Sequence, residues 1–390
     1  MAYEVRVIVD PAELDALREP WERLSAAGAG DALFGSWLWN RTWWNHYRHR
    51  GELCLLAATR GDELAGLWPL FREKRSFADI ETEMIGPVRM VLPGKPFALR
   101  ALCYLGSGEI CSDFLAPLLL PGEEEPLVEA LLSFLAARKD WDLLDLIDMD
   151  AASPAVIALE KLLPKHLGKI RRRFRYRAPY AELPGTYDDY LNTLSKKGRF
   201  NARKKPRQLS LNHKVEHGYH ADPATLDAAM DSFIGLHTQR WQAEGLPGVF
   251  VNEHFVGFHR EMAAAGLARD WLRLSYLKVD DETLFSTYAY HVDGRCYLYQ
   301  QGGMTDWHHY NLGYVALGFS IGDACTRGCR LYDFLRGDAE YKLHWAKQER
   351  ELMQLQAVRP SLRGKWFMWH STINTDNEVR NRIKRLIRKS

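Results

Sequence analysis

The sequence predicts a mixed α+β fold built as two tandem domains, each a twisted, mostly antiparallel sheet flanked by helices. The chain has 390 residues, about twice the length of a typical single domain. Hydrophobic residues make up 46% of it and charged residues 26%, which is ordinary for a folded globular protein. Both halves also show the same order of elements, in which strands are followed by a helix and a further strand.

The first half begins with a strand and a helix that starts at Pro11. Apolar runs over Leu53–Thr59 and Leu64–Phe71, separated by a polar turn, predict a β-hairpin. A strand over Phe114–Leu120, an amphipathic helix over Pro126–Arg138 and a buried strand over Leu143–Ile147 are predicted to follow. The order of strands, helix and strand is therefore expected in this half.

In the second half, the sequence predicts the same order of strands, helix and strand more clearly. Three helices are predicted first, over Tyr187–Leu209, Pro223–Trp241 and Glu253–Ala265. The later elements are a three-strand meander, a helix that Gly328 ends, a short strand and a last helix: Trp271–Lys278, Leu284–His291, Arg295–Gln301, the helix from Leu312, Leu331–Leu335 and Gly337–Gln348. The boundary between the halves is expected near Leu167–Ala178, which gives domains over 1–170 and 171–360 and a basic tail over 361–390.

Several classes of protein are not expected. The N-terminus has no basic leader followed by an apolar core, so we expect no secretion signal. Apolar runs fall short of the ~18 residues that a membrane span needs. The six cysteines form no CxxC pair and the adjacent His308 and His309 lack a carboxylate at metal spacing, so we expect buried free thiols, a cytoplasmic protein and no metal site.

A candidate site for a phosphate-bearing cofactor lies where a glycine opens the helix at Asn311–Tyr314. Unpaired backbone N–H groups and the helix dipole favour negative charge at such a place. A plain helix cap is the alternative interpretation. The strand before it ends in Tyr299-Gln300-Gln301-Gly302-Gly303, and Tyr332-Asp333-Phe334 follows the helix.

These segments resemble a known family signature. Four of them, Tyr299–Met304, Asn311–Gly313, Tyr332–Asp338 and Glu340–Lys342, resemble the signature of the CelD/BcsL-type acetyltransferases of the GNAT superfamily. The resemblance extends over roughly Tyr180 to Gln356, and the first half resembles the leading half of the same family more loosely. The family is also similar to the Fem-type aminoacyltransferases.

The resemblance implies acetyl-CoA or another acyl-CoA as the co-substrate and no metal. It implies that the strand at Tyr299 and Gln300 pairs with the pantetheine arm, and that the next strand diverges to admit the thioester. It also implies that the loop and helix start hold the pyrophosphate, through Asn311, Leu312, Gly313 and Tyr314. Tyr341 lies where many of these enzymes carry the tyrosine that protonates the sulfur, with core packing as the alternative.

Other candidates come from the residues themselves. Asp333, a candidate catalytic residue, lies in a buried strand, where a carboxylate needs a partner, so we expect it to meet Arg336, Lys342 or a substrate amine; a structural ion pair is the alternative. Arg336 and Lys342 are also candidate substrate contacts. His237 and Arg240 are one helical turn apart, as a candidate base and a candidate ligand of an acid group, and Trp241 joins them as a candidate substrate contact. A structural histidine is the alternative.

Three functions are compatible with this pattern. The first is an N-acyltransferase acting on an amine acceptor, such as an amino sugar or another envelope-polysaccharide precursor. The second is a Fem-type transferase that takes an aminoacyl group from tRNA to a peptidoglycan precursor, for which the basic tract Lys196–Arg207 would bind RNA unless it is a solvated helix face. The third is a catalytically degenerate scaffold in polysaccharide assembly.

The tail is a second basic segment. Val379, Ile383, Leu386 and Ile387 alternate with arginines and lysines, which is typical of a short amphipathic helix. Such a helix would rest on an anionic membrane surface and make the protein peripheral to the inner face of the membrane. A frayed terminus is the alternative.

Overall fold

The computed structural model describes residues 3–75, 98–337 and 339–375. The first half contains eight strands within these ranges: β1 Glu4–Ile8, β2 Gly51–Leu53, β3 Leu55–Arg60, β4 Glu63–Trp68, β5 Leu70–Arg75, β6 Leu99–Tyr104, β7 Leu118–Leu119 and β8 Leu143–Asp150. Its described helices are α1 Pro11–Ala16, α2 Arg18–Ala26, α3 Trp37–Tyr47, α4 Glu124–Ala137 and α5 Pro154–Leu167.

The second half begins inside a long strand and contains the meander that the sequence predicts. Its strands are β9 Ile170–Glu182, β10 Val215–Tyr219, β11 Leu272–Val279, β12 Glu282–Val292, β13 Arg295–Gly303, β14 Leu331–Asp333 and β15 Gln348–Val358. Its described helices are α6 Tyr187–Thr193, α7 Lys196–Asn212, α8 Leu226–Ala243, α9 Glu253–Ala268, α10 Leu312–Thr326, α11 Glu340–Leu343 and α12 Leu362–Thr375.

The strands form two sheets. A four-stranded sheet has the order β1-β3-β4-β7, and an eleven-stranded sheet has the order β10-β11-β12-β13-β14-β9-β15-β8-β6-β5-β2. Strand β15 joins the halves, because it pairs antiparallel with β8 of the first half and with β9 of the second. Main-chain hydrogen bonds therefore link strands of both halves in one sheet.

The large sheet contains two parallel pairs at equivalent places in the two halves. Strand β6 pairs with β8 in the first half, and β13 pairs with β14 in the second. A helix lies between the two strands of each pair in the chain, α4 in the first case and α10 in the second. The remaining pairings of the described strands are antiparallel. The predicted mixed fold, with large and mostly antiparallel sheets flanked by helices, is confirmed.

Buried aromatic side chains pack the halves together. The indole of Trp39 in α3 is fully buried and donates to Ser112 Oγ at 2.8 Å. Its ring meets Phe258 and Tyr290 of the second half edge to face, with centroids 4.9 and 6.1 Å apart. Each such ring removes roughly 150–250 Å² from water. This interface therefore resembles a domain core more than a contact between independent units.

The segment Leu167–Ala178, near which the boundary between the halves is expected, lies mostly in strand β9, because alternating arginines and aromatic residues favour a strand with two different faces. Two other segments differ from their predictions. The helix expected over Gly337–Gln348 is only the one-turn α11, and β15 begins at Gln348. The strand expected over Phe114–Leu120 is reduced to β7, since Phe114 has a positive φ of 58° and Pro117 interrupts the run.

No helix in the described part of the chain is long and apolar enough to span a membrane. The predicted amphipathic segment of the tail, from Val379 onward, lies outside the described residues. All six cysteines are free thiols, and five of them are buried.

Candidate active site

Strands β13 and β14 are paired along only part of their length. Their parallel register runs from Arg295 opposite Leu331 to Tyr297 opposite Asp333. Beyond that point β13 continues to Gly303, and its pairing with β12 shifts between Tyr288 and Ala289, which indicates a bulge at Tyr299. A gap therefore opens between the two strands after their third paired residue.

The chain that follows β14 is held away from β13 by other partners. Phe334 N donates to Pro179 O of β9 at 3.0 Å, and Gly337 N donates to Arg177 O at 2.9 Å. Leu335 has a positive φ of 57° and donates its N–H to Asp333 Oδ1 at 2.9 Å. These bonds direct the segment toward β9, so the gap is a built feature of the fold.

Two cavities meet at this gap. The cleft cavity, of about 310 Å³, lies between the diverging strands and is lined by Tyr299, Gln300, Trp241, Lys342 and their neighbours. The outer cavity, of about 640 Å³, lies at the start of α10 and is lined by residues that include Asn311, Leu312, Gly313 and Tyr314. Arg240, Gln301 and Tyr341 line both cavities, which are therefore adjacent.

The start of α10 offers free backbone donors to the outer cavity. Asn311, the N-cap, has a left-handed conformation (φ 54°), and its side chain makes no capping hydrogen bond. Its Nδ2 instead donates to His309 O at 3.3 Å. The first N–H groups of a helix have no partner within the helix. The outer cavity thus has at one wall a helix N-terminus that is suited to a phosphate.

Lys205 adds a positive charge to the outer cavity. Its Nζ lies 4.4 Å from the centre of the Tyr314 ring, and burial lowers the pKa of its ammonium group. Tyr314 in turn donates its hydroxyl to Gly198 O of α7 at 3.3 Å. The helix start and α7 therefore form two sides of one pocket.

Gln301 supplies a buried acceptor to both cavities. Its side chain is 8% exposed, and its Oε1 atom accepts no hydrogen bond from the residues that the structure describes. A buried acceptor without a partner costs free energy, of the order of 1–3 kcal/mol. Because Gln301 lines both cavities, an amide N–H that passes from one cavity to the other would satisfy it. The pantetheine arm of coenzyme A carries such amides, so the residues present fit this co-substrate.

Tyr341 lies at the junction of the two cavities. Burial raises the pKa of its phenol, and the charge of Arg240 opposes that shift. The phenol is therefore protonated at neutral pH. Its hydroxyl makes no hydrogen bond to the described residues, so it is available to a group in the cavities. Tyr341 therefore lines both cavities, and its role as the catalytic acid stays a prediction.

Asp333 does not meet the partners that the sequence suggested. Its fully buried carboxylate accepts from Arg350 of β15 instead of from Arg336 or Lys342. The reason is topological, because β14 is separated from β15 only by β9, a pairing that sequence patterns did not show. Burial raises the pKa of Asp333 to about 6, against the charges of Arg350 and Arg295. Asp333 does not line either cavity.

Arg336 and Lys342 line the cleft cavity but are engaged with the protein. Arg336 donates through N and Nε to Asp113 of the first half, at 2.7 and 2.6 Å. Lys342 Nζ donates to Leu335 O at 3.1 Å and to Arg336 O. Both cations thus hold the segment after β14 in place, and their predicted contacts with substrate stay predictions.

His237 is buried outside the cavities, whereas Arg240 lines them. Its Nε2 accepts from Trp241 Nε1 at 2.9 Å, and its side chain is 1% exposed. Burial lowers its pKa to about 4, so the ring is neutral. A side chain at Gly302 would come within 2.5 Å of His237 N, so α8 packs directly on β13. His237 does not line either cavity, whereas Arg240 and Trp241 do.

The part of the chain that contains the diverging strands, the start of α10 and Tyr341 is similar to a known family. Residues 196–343 match the family model of the acetyltransferase (GNAT) domain. The matched range runs from the start of α7 to the end of α11, and so contains β13, β14, α10 and Tyr341. No curated protein sequence matches the chain at a significant level.

Solved structures extend the likeness beyond the GNAT domain to the whole chain. The crystal structure of FemX has a TM-score of 0.57 and 11% identity, over 91% of this chain and 97% of that chain. A conserved protein of unknown function from Bacteroides thetaiotaomicron VPI-5482 has a TM-score of 0.54 and 11% identity, over 91% and 100%. L-PGS from Bacillus licheniformis has a TM-score of 0.50 and 9% identity, over 94% and 95%. At these identities the likeness is one of fold.

Two residues that line the candidate site were not predicted from the sequence. Gln301 stands beside the predicted Gln300 on β13, and alternation along the strand gave no reason to prefer one over the other. Lys205 was included only as part of a basic tract on α7. The signal that would have found it is its spacing on the helix, because Lys205 lies four residues after Asn201, which also lines the outer cavity.

Gly313→Val is expected to weaken acetyl-CoA binding about tenfold. A Cβ at Gly313 would lie 3.2 Å from two ring atoms of Phe285, so a branched side chain must displace the helix start or the ring. Overpacking of this kind costs roughly 1–3 kcal/mol. Calorimetric titration with acetyl-CoA measures the change.

Gly322→Val is the matched control, because Gly322 lies in the same helix and its Cβ would be 3.7 Å from Tyr187, an ordinary contact. Equal affinities of the two variants for acetyl-CoA would argue against a cofactor site at the helix start.

Proposed function

We propose that this protein is an N-acyltransferase that moves an acyl group, most simply acetyl, from acyl-CoA to an amine acceptor. The observation that carries the proposal is the gap between β13 and β14, whose two cavities are joined at Arg240, Gln301 and Tyr341. The match of residues 196–343 to the GNAT domain supports the same chemistry. In this proposal the co-substrate phosphates lie at the start of α10 and the thioester lies in the gap.

The reaction needs three events. The neutral amine nitrogen attacks the thioester carbon, which forms the C–N bond. The C–S bond then breaks, and the sulfur leaves with the electron pair while the nitrogen loses a proton to solvent or to a base. Tyr341, with its raised pKa, gives the departing sulfur a proton and regains one from water. Backbone N–H groups of the bulged strand β13 polarise the thioester carbonyl.

The acceptor we propose is an amino sugar or another precursor of an envelope polysaccharide. This part of the proposal comes from the resemblance of the signature at Tyr299–Met304 and Tyr332–Asp338 to the CelD/BcsL type. Trp241 in the cleft cavity supports an amino-sugar acceptor, because its aromatic ring beside Arg240 offers a flat apolar surface next to a cation. Turnover of a panel of amino sugars with acetyl-CoA tests it.

A second candidate function is the transfer of an aminoacyl group from tRNA. The observation that favours it is the exposed face of α7, where Lys196, Lys197, Arg203, Lys204 and Arg207 are all solvent-exposed and the helix has no acidic residue. Such a face would bind RNA phosphates. The likeness of fold to FemX is compatible with this alternative.

One titration separates these functions. We expect acetyl-CoA to bind the purified full chain with micromolar affinity, and uncharged tRNA to show no binding that survives physiological salt. Salt-resistant tRNA binding without acetyl-CoA binding would favour the aminoacyl transferase. If neither ligand bound, the proposal would fail and a non-catalytic scaffold would be favoured.

A further inference from the structure

A third cavity adjoins the gap on the side away from α10. It measures about 630 Å³ and lies between the two halves, with Tyr47, Glu109 and Asp148 from the first half and Arg175, Tyr176 and Asn252 from the second among its lining residues. Cys111 and Arg336 line both this cavity and the cleft cavity. We call it the between-halves cavity.

The three cavities form a series. The outer cavity shares Arg240, Gln301 and Tyr341 with the cleft cavity, and the cleft cavity shares Cys111 and Arg336 with the between-halves cavity. If the co-substrate enters from the outer cavity, its thioester lies in the middle of the series. The amine must then reach the thioester from the remaining side, which is the between-halves cavity. This step rests on the proposed function.

One wall of this cavity carries a carboxylate that is open to a ligand. Glu109 is exposed, and its Oε2 accepts from Asn252 Nδ2 at 2.6 Å and from the Tyr47 hydroxyl at 3.5 Å. Its Oε1 accepts no hydrogen bond from the described residues. The next residue, Ile110, accepts from the Tyr299 hydroxyl of β13, so the carboxylate lies on the segment that borders the gap.

Another wall carries a guanidinium that is only partly used. Arg175 donates from Nε to Asp148 Oδ1 at 2.8 Å, and its side chain is 18% exposed. Its two terminal nitrogens donate to no residue within the described ranges. The half-exposed ring of Tyr176 lies beneath it, with the guanidinium carbon 5.3 Å from the ring centre. The two terminal nitrogens of a guanidinium present parallel donors, which suit a carboxylate or a phosphate.

We propose that the between-halves cavity is the acceptor site, and that the acceptor is an amine that also carries an acid group. Glu109 binds the amine beside the gap in its ammonium form, which loses a proton to solvent before it attacks, and Arg175 binds the carboxylate or phosphate. The pairing uses the Oε1 atom of Glu109 and the terminal nitrogens of Arg175, which have no hydrogen-bond partner among the described residues. It also gives the first half a direct part in substrate recognition, since Glu109 belongs to that half.

Paired probes test the acid group and the amine separately. Glucosamine 6-phosphate is compared with glucosamine, which lacks the acid, and with N-acetylglucosamine 6-phosphate, which lacks the free amine. A second pair, 4-aminobutyrate and butylamine, makes the same comparison with a carboxylate. Binding to the full chain is measured by calorimetry, and acetyl-CoA is titrated into the same preparations.

We expect an acid-bearing amine of at least one pair to bind about ten- to a hundredfold more tightly than its neutral partner, which is the effect of one charge-assisted contact. Arg175→Gln should abolish that ratio. Glu109→Gln should abolish the preference for glucosamine 6-phosphate over its N-acetylated form. If 4-aminobutyrate is the probe that binds, Glu109→Gln should weaken its binding about ten- to a hundredfold. Arg177→Gln is the matched control, because Arg177 lies on the same strand, is exposed and does not line the cavity.

The inference is overturned if neither acid-bearing amine binds more tightly than its neutral partner, or if Arg175→Gln keeps the wild-type ratio. Thermal unfolding of each variant shows whether it is folded, and Asp148 keeps Arg336 as a partner at 3.0 Å when Arg175 is changed. If the wild type did not bind acetyl-CoA, the proposed function would be contradicted. The ratio of the affinities of the paired probes, in contrast, tests the acceptor site alone.

Discussion

Tyr341→Phe is expected to lower kcat for acetyl transfer about a hundredfold and to leave the affinity for acetyl-CoA unchanged. The substitution removes one hydroxyl at the junction of the cleft and outer cavities. Burial raises the pKa of that hydroxyl, so it carries a proton at neutral pH and can give it to a departing thiolate. A positioned proton donor contributes roughly 10²–10⁴ in rate. The ring remains, so packing and cofactor contacts are kept.

Steady-state kinetics with acetyl-CoA and any amine that the enzyme acetylates, together with calorimetry, measure both quantities. Tyr187→Phe is the control, because burial also raises the pKa of Tyr187 but its hydroxyl lies outside both cavities. We expect the control to keep the wild-type kcat. An unchanged kcat in Tyr341→Phe would remove Tyr341 from the mechanism, and a parallel loss of affinity would assign it to binding.

The fold was predicted from the sequence where periodicity is strong. The meander β11 to β13 and helix α10 lie within a few residues of their predicted bounds, since alternating and helical patterns of apolar residues are local signals. Strand β15 was not predicted, because Gln348–Glu351 is polar and the pairing partners of this strand, β8 and β9, are far away in the sequence. Long-range pairing leaves no local pattern.

In the candidate site, too, local patterns were predicted and long-range contacts were not. The helix start at Asn311–Tyr314 and the tyrosine at 341 were found through a signature and lie together at the cavities. The partner of Asp333 was predicted among its neighbours in the chain, but Arg350 reaches it across β9. Glu109 and Arg175 gave no signal at all, because they meet in one cavity only when the two halves are packed together. Sequence patterns identify elements more readily than the contacts between them.

Asp113→Ala is expected to lower the free energy of unfolding by about 3–5 kcal/mol, the usual cost of removing one partner of a buried ion pair. The Asp113 side chain is 0% exposed and accepts from Arg336 N and Nε. Without it, the nearly buried guanidinium keeps, among the described residues, Asp148 as its one carboxylate partner, at 3.0 Å, and the backbone N–H of Arg336 loses its acceptor. Urea unfolding measures the loss.

Two comparisons identify the origin of that loss. Asp15→Ala removes an exposed partner of Arg41 and should cost no more than about 1 kcal/mol. Asp113→Leu combined with Arg336→Met replaces both charges by apolar groups and should be more stable than Asp113→Ala, because no uncompensated charge is left. If the double variant were no more stable than Asp113→Ala, shape and not charge would explain the effect.

The same pair connects stability to the site. Arg336 lies three residues after Asp333, at the point where the chain has diverged from β13, and its backbone N–H is held by a carboxylate of the other half. Loss of Asp113 should therefore allow the segment after β14 to move, and we expect acetyl-CoA affinity to fall in the folded variant as well. A variant that unfolded more easily but bound acetyl-CoA as tightly as the wild type would show that the gap is held by β9 alone, through Phe334 and Gly337.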